Sequence, residues 1–361
     1  MAWCWFNATE SKPQNVMRQL IETVKKGEYS TNKLEKIKMY MLCSKCFNDF
    51  GLIKTVESIG IDNNSICENC KKSDGFKITK EQLEDVCMNY FIDGTFCKSN
   101  YGGSCLVMYN YVQKTEIKVP KFLKNDIKLL EDNLGIGFFY YSPRLYNLGL
   151  VEPLDELLDK KTRKKAINNI ISKFPSKIID ENFKLFRLRK NPVYPNKNSE
   201  YDSPPNKFRS NYGRFDSKNI NILYASENIE ICIHECRVTL ADELYIANLS
   251  PTKSLKLLDL TNHIDEQVAP FESLNLAIQF IFEAENHSYE ITRDIAKYLK
   301  NAGYDGVVYN SYFNKIKPIQ IPNIAIFGSP IRNKKIKIDC INKLIIKEAN
   351  YSYIFGPTII E

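Results

Sequence analysis

The chain has 361 residues, with 50 Lys and Arg against 43 Asp and Glu, a formal charge of +7. Its 43% hydrophobic and 26% charged content, with only 15 glycines and 15 prolines, excludes collagen-like, low-complexity and mainly disordered chains. The length admits two or three domains that each bury a core, and the mild positive balance suits an anionic ligand such as a dinucleotide or nucleic acid without selecting either.

The opening "MAWCWFNATESKPQ" has no basic segment followed by an apolar one, and no run approaches about eighteen apolar residues, so a cytoplasmic protein without membrane contact is expected. "NVMRQLIETVKKG" sets Val16, Met17, Leu20, Ile21 and Val24 on one helical stripe and ends at Gly27. Next come "CSKC" at Cys43 and Cys46 and "CENC" at Cys67 and Cys70, with twenty residues between the pairs. Two residues between thiols let both reach one tetrahedral ion, and a second such pair closes the shell. A structural zinc site is expected there, while Cys4, Cys87, Cys97, Cys105, Cys232, Cys236 and Cys340 read as small core residues. "TKEQLEDVCMNYF" repeats the helical pattern through Leu83, Val86, Cys87 and Phe91, and 104–118 reads as strand.

A further helix is predicted over "PLDELLDKKTRKKAINNIISKF", packed through Leu154, Leu157, Leu158, Ile167, Ile170, Ile171 and Phe174. Its "KKTRKK" run reads as a solvated face. From 183 onward short strands alternate with helices: "FKLFRL", then the proline- and asparagine-rich loop 191–210, then "INILYAS". Ser226 can cap a helix from Glu227 whose packed stripe is Ile229, Cys232, Ile233 and Cys236, with Glu235 beside it. "ITRDIAKYLKNAG" is helical with Gly303 as its cap, "YDGVVYNSYF" runs strand-like into Ser311, and "IPNIAIF" closes the sheet.

"LFRL", "GRF", "LYAS", "HECRV" and "GYDGVVYNS…NIAIFG" stand in the order and spacing of the RES domain, which this chain resembles over about residues 180–330. The segments "LCSKCFNDFGL", "CENC" and "YFIDGTFCKSNYGGSCLVMYN" resemble the zinc-bearing, HEPN-like region that precedes RES domains in some bacterial proteins. No histidine precedes His234, so the ribonuclease chemistry of HEPN domains is not expected. The implied fold class is α/β (α+β): a mainly helical N-terminal domain over 1–150 with its zinc knuckle at 43–70, a helical connector at 151–180, an ADP-ribosyltransferase-like RES domain with a mixed sheet at 181–345, and a tail at 346–361.

RES proteins are similar to ADP-ribosyltransferases and include toxins that consume NAD, so the resemblance implies NAD as substrate. It makes Arg187, Glu235 and Ser311 the catalytic trio and gives Arg214 and Tyr224 the role of holding the dinucleotide. The chemistry asks for these residue types. Breaking the ribose–nicotinamide bond passes through an oxocarbenium-like state that a carboxylate stabilises, and a guanidinium pairs with pyrophosphate oxygens. Arg189 lies two residues beyond Arg187 and would face the same side, so either can be the pocket arginine. The expected activity is phosphorolysis or hydrolysis of NAD by a toxin or defence effector. Two alternatives stand beside it: ADP-ribosyl transfer to a macromolecule, and a non-catalytic zinc ribbon that binds nucleic acid. An antitoxin or regulatory protein and self-association are the partners the resemblance admits; nucleic acid and membrane are not expected.

Overall fold

The computed structural model describes residues 41–98, 100–101, 103–141, 151–204, 213–310 and 322–359. The helix expected at 15–27, Cys4, Ser311 and the end of the 191–210 loop lie outside the described residues.

Short elements build the N-terminal region. Strands β1 (Leu42–Cys43), β2 (Ile61–Asp62) and β3 (Phe76–Ile78) form a small antiparallel sheet in the order β1-β3-β2. Helix α1 (Phe50–Ile59) starts where it does because the Asp49 carboxylate accepts from Leu52 N at 2.8 Å. Helix α2 (Lys80–Cys87) starts with a capping box, Thr79 and Gln82 each satisfying the other's backbone amide, and continues through a π-turn at Met88–Ile92. Hairpin β4 (Phe96–Lys98) and β5 (Gly103–Cys105) precedes β6 (Val107–Asn110), which pairs with β7 (Gly137–Tyr140) across helix α3 (Lys124–Leu134). The strand expected over 104–118 is therefore two short strands, and the chain from 111 to 120 leaves the sheet. Leu42, Leu52, Val56, Leu83, Phe91, Leu130 and Phe138 share one core. Asp126 of α3 is fully buried in it and accepts from the Asn48 and Asp49 amides at 3.0 and 2.7 Å, tying α3 to the start of α1.

The C-terminal region begins with helices α4 (Glu152–Leu158) and α5 (Arg163–Lys173). The single helix expected here breaks at 159–162, where Thr162 Oγ1 and Arg163 Nε take the Glu156 and Leu157 carbonyls at 2.8 and 2.7 Å. Leu158 is exposed as a result. Arg163, from the "KKTRKK" run, is buried and bonds Glu290 and Asp294 at 3.2 and 2.8 Å, so that position is a clamp rather than a solvated face.

Eight strands follow: β8 (Ser176–Ile179), β9 (Leu185–Lys190), β10 (Ile222–Ser226), β11 (Leu244–Pro251), β12 (Leu255–Asp259), β13 (Gly306–Asn310), β14 (Pro322–Phe327) and β15 (Ile336–Leu344). They form one mixed sheet in the order β15-β11-β9-β10-β14-β13-β12-β8, with β12–β13 its parallel pair. Strand β14, the "IPNIAIF" stretch, lies inside the sheet between β10 and β13. Side chains alternate between two cores. Ile222, Ala325 and Val307 face helices α4, α5, α7 (Leu274–Glu283) and α8 (Tyr289–Asn301), whereas Leu223, Leu257 and Ile324 face the other core. The short helix α6 (Ile229–Glu235) covers Leu188 and Ile246 through Cys232.

After β15 the chain returns to the N-terminal region. The Phe355 ring stands edge-on to Phe50 at 5.7 Å, and Gly356 crosses Gly94 so closely that a Cβ on Gly356 would lie 2.0 Å from the Gly94 carbonyl oxygen. Only glycine fits that crossing. Of the cysteines expected in cores, Cys87, Cys105 and Cys232 are buried and Cys236 is half-buried, while Cys97 and Cys340 are exposed on terminal hairpin and edge strands. Among the described residues no helix is long and apolar enough to cross a membrane.

Candidate active site

Strand β10 brings Tyr224 to the helix-covered face. Tyr224 is paired with Ala325 of β14; two residues earlier on β14, Asn323 is paired with Ser226 on one side and Tyr309 on the other. Directly paired residues share a face, so Tyr224, Ser226, Asn323 and Tyr309 line the same surface. The chain then leaves β10 into α6. Asn228, not Ser226, caps that helix by accepting from Ile231 N at 3.2 Å, while Ser226 Oγ accepts from the Asn228 amide. The start is later than the sequence suggested. The buried pair accordingly becomes Ile231 and Cys232, Ile229 is exposed, and Glu235 is the last helical residue.

Glu235 is exposed, and its Oε1 accepts from Asn323 Nδ2 at 2.6 Å. Beside it lies Tyr309, buried against Phe215 at 5.1 Å and stacked on Phe282 at 5.4 Å. Burial pushes the Tyr309 phenol far up, and the Glu235 charge adds to the shift. Tyr224 is fixed by its hydroxyl, which donates to Asp216 Oδ2 at 2.8 Å and accepts from Phe215 N at 3.0 Å. Burial and then the Asp216 carboxylate hold this phenol well above its usual range. Gly213 starts that turn because a Cβ there would lie 2.6 Å from Asp216 Oδ2 and 2.9 Å from Tyr224 Oη.

Arg214 sits under the same aromatic cluster. Its Nη1 donates to the Ile281 carbonyl at 3.0 Å and its Nη2 to Phe282 at 3.3 Å, the last turn of α7, and its guanidinium lies over the Phe282 and Tyr289 rings at 5.4 and 5.0 Å. A cation there complements the carbonyl end of the helix.

Arg187 stands elsewhere. It is paired with Ala247 of β11 and shares the face of Leu185, opposite the surface that carries Tyr224. Strands β9 and β10 pair at Phe186 and Ser226. Beyond that pair, Arg187 Nη1 takes the Tyr224 carbonyl at 2.5 Å and Nη2 the Asp202 carbonyl at 3.1 Å. Arg189 Nη2 donates to the same Asp202 carbonyl at 2.8 Å and its Nε to Glu200. The two guanidiniums thus hold the 200–202 turn by main-chain oxygens, and Arg187 Nε is buried with no partner. Burial, with Arg189 adjacent, pushes Arg187 down to about 9. Among the described residues its hydrogen bonds go to main-chain carbonyls.

The structure therefore brings Glu235, Tyr224 and Arg214 around Tyr309, puts Arg187 and Arg189 at the gap between β9 and β10, and leaves Ser311 outside the described residues. Asn323, Asp216 and Tyr309 were not singled out by the sequence. "GRFD" and "NIAIF" contain two of them, but only the strand pairing shows what they touch.

The N-terminal cysteines form a separate centre. The sulfurs of Cys43, Cys46, Cys67 and Cys70 all lie within 4.8 Å of one another, with Cys43–Cys70 at 3.5 Å, Cys46–Cys67 at 3.6 Å and Cys43–Cys46 at 3.8 Å. A regular tetrahedron of thiolates about 2.3 Å from zinc has edges of about 3.8 Å, so this donor set fits zinc. Lys77, fully buried, pins the loop of the second pair by donating to the Asn63 and Ser73 carbonyls.

A mixed sheet flanked by helices, with Glu235, Asn323 and Tyr309 meeting where β10 and β13 end and β14 begins, defines an α/β domain that gathers a carboxylate and aromatic side chains at one end of its sheet. Residues 184–340 match the family model of the RES domain. Among curated proteins none matches. Among solved structures, one similar chain belongs to the M. tuberculosis MbcT–MbcA toxin–antitoxin complex, at 11% identity and a TM-score of 0.33, over 50% of this chain and 91% of that one.

Proposed function

We propose that the RES domain cleaves the bond between ribose C1′ and the nicotinamide nitrogen of NAD. The observation that carries this reading is Glu235: an exposed carboxylate held by a buried amide beside the aromatic cluster of Tyr309, Phe215 and Phe282. As the bond breaks, its electron pair leaves with nicotinamide and positive charge grows on the ribose. Glu235 stabilises that charge or holds the 2′-hydroxyl. The aromatic wall of Tyr309 and Tyr224 receives the flat ring, and the N–H groups that Arg214 does not spend on carbonyls meet the pyrophosphate, while Arg187 and Arg189 hold the 200–202 turn from the opposite face. Ser311, placed by the family resemblance, orients the nicotinamide side.

The reading makes the protein an NAD-consuming toxin, and such an activity calls for a partner that restrains it. The thiol tetrad holds zinc as a structural ion, closed to substrate because all four positions are taken by sulfur. The HEPN-like character of the N-terminal region rests on its cysteine motifs.

The test is nicotinamide release from NAD by the purified protein, with and without inorganic phosphate, set against Glu235→Gln matched for zinc content and thermal stability. Release should fall by about 10³-fold or more in the variant, the scale set by removing a charge that acts in the transition state. Dependence on phosphate separates phosphorolysis from hydrolysis, and label retained on a macromolecule marks transfer. A variant as active as the parent removes Glu235 from the chemistry.

A further inference from the structure

We infer that Asn323 is the positioning residue of the catalytic carboxylate: its side-chain amide selects the one rotamer of Glu235 that faces the reacting ribose. The inference rests on the reading of Glu235 given above and adds a residue to it.

Three observations carry it. Glu235 stands at the last residue of α6, a helix of seven residues, where the surrounding carbonyls disfavour a negative side chain. It is also exposed, and a glutamate has three rotatable bonds whose freedom must be removed before its charge can act at a fixed point. The donor that meets it is the opposite in every respect. Asn323 is 5% exposed and belongs to β14, which is paired along its length with β10 on one side and β13 on the other. Its Nδ2 approaches Glu235 Oε1 at 2.6 Å, the separation of a strong bond to a charged acceptor. A rigid interior strand therefore reaches up to hold a surface carboxylate.

The chain offers no simpler use for that amide. A side chain at this position that served only the sheet would be apolar like Ala325 and Phe327, which follow it on the same face in the helix-side core. A buried carboxamide without a bonded partner is costly, and here the bond that satisfies it points out of the core to the candidate site.

The experiment uses full-length protein and two variants. Asn323→Asp keeps the volume while replacing the donor by a carboxylate oxygen, and Asn323→Ala removes the donor without adding charge. In the nicotinamide-release assay kcat should fall by about 10- to 100-fold in either, the value of one hydrogen bond to a charged group. KM for NAD should stay within about threefold and the melting temperature should hold, because the bond orients the carboxylate and does not bind the substrate uniformly. A kcat within twofold of wild type in the alanine variant overturns the inference, as does a loss that appears in KM. Melting loss in both variants assigns Asn323 to the fold and also overturns it. Glu235→Gln runs alongside. If it stays active, or the wild type releases no nicotinamide, the reading of Glu235 falls and this inference with it; if it is inactive while Asn323→Ala keeps its rate, the inference alone fails.

Discussion

The N-terminal region and the region of the eight-stranded sheet hold themselves together by different means. Strands before residue 141 have two to four residues, and three separate small sheets share one core with three helices. Strands after 175 run to nine residues and join in one sheet buried on both faces. The first region therefore leans on point fixings: four thiols, the Asp49 and Asp126 carboxylates, and the Lys77 ammonium on two carbonyls. The second spreads its apolar contacts over long paired strands. The sheet is therefore expected to survive loss of the point fixings that the first region adds to its own core.

Three perturbations break or sharpen that contrast. The largest effect is expected from the thiol tetrad. Apparent zinc binding in such sites is worth about 10–16 kcal/mol at neutral pH, so chelation or Cys67→Ser should unfold 41–141 outright. Hydrogen exchange should then show lost protection there and retained protection over β9–β14; equal protection in both regions after chelation would show that the tetrad is dispensable. Next comes Leu257→Ala, in the core shared by β8, β12 and β13, with a cost of about 2–5 kcal/mol. Zinc content should be unchanged while the sheet's denaturation midpoint drops, and zinc release at the same midpoint would mean that the regions unfold as one. The smallest is Gly356→Val, which drives a side chain against the Gly94 carbonyl and should cost about 1–3 kcal/mol as the tail lifts. Faster proteolysis within 345–359 at an unchanged sheet midpoint is the expected outcome; a tail as resistant as the parent's would show that the crossing adapts.

The same contrast governs what the sequence could disclose. Cysteine spacing is a local code, and the tetrad was legible from it. The order of "LFRL", "GRF", "LYAS" and "HECRV" brought Glu235, Tyr224 and Arg214 into one candidate site, because each lies just before, within or just after a sheet or helix element whose pattern is regular. Strands β11 and β12, helix α7 and edge strand β15 went unread. The polar residues of "IKIDCINKL" disguise a strand whose outer edge faces solvent, and they leave Cys340 exposed. The helix predicted across 153–174 kept its apolar spacing through a break, since the hydroxyl and guanidinium that end α4 act on carbonyls that no side-chain pattern reports. The cap of α6 was read as Ser226, and only the approach of the Ile231 amide moves it to Asn228. Asn323 was hidden for a deeper reason: its partner lies 88 residues away along the chain.

The Gly94–Gly356 crossing reaches beyond packing. Residues 355 and 359 pack against the core of the region before residue 141, so that core gains two of its walls only when the segment after β15 has crossed back to it. Folding of the thiol-bearing region thus depends on a segment that lies beyond the whole sheet in the sequence, however correctly each has formed alone.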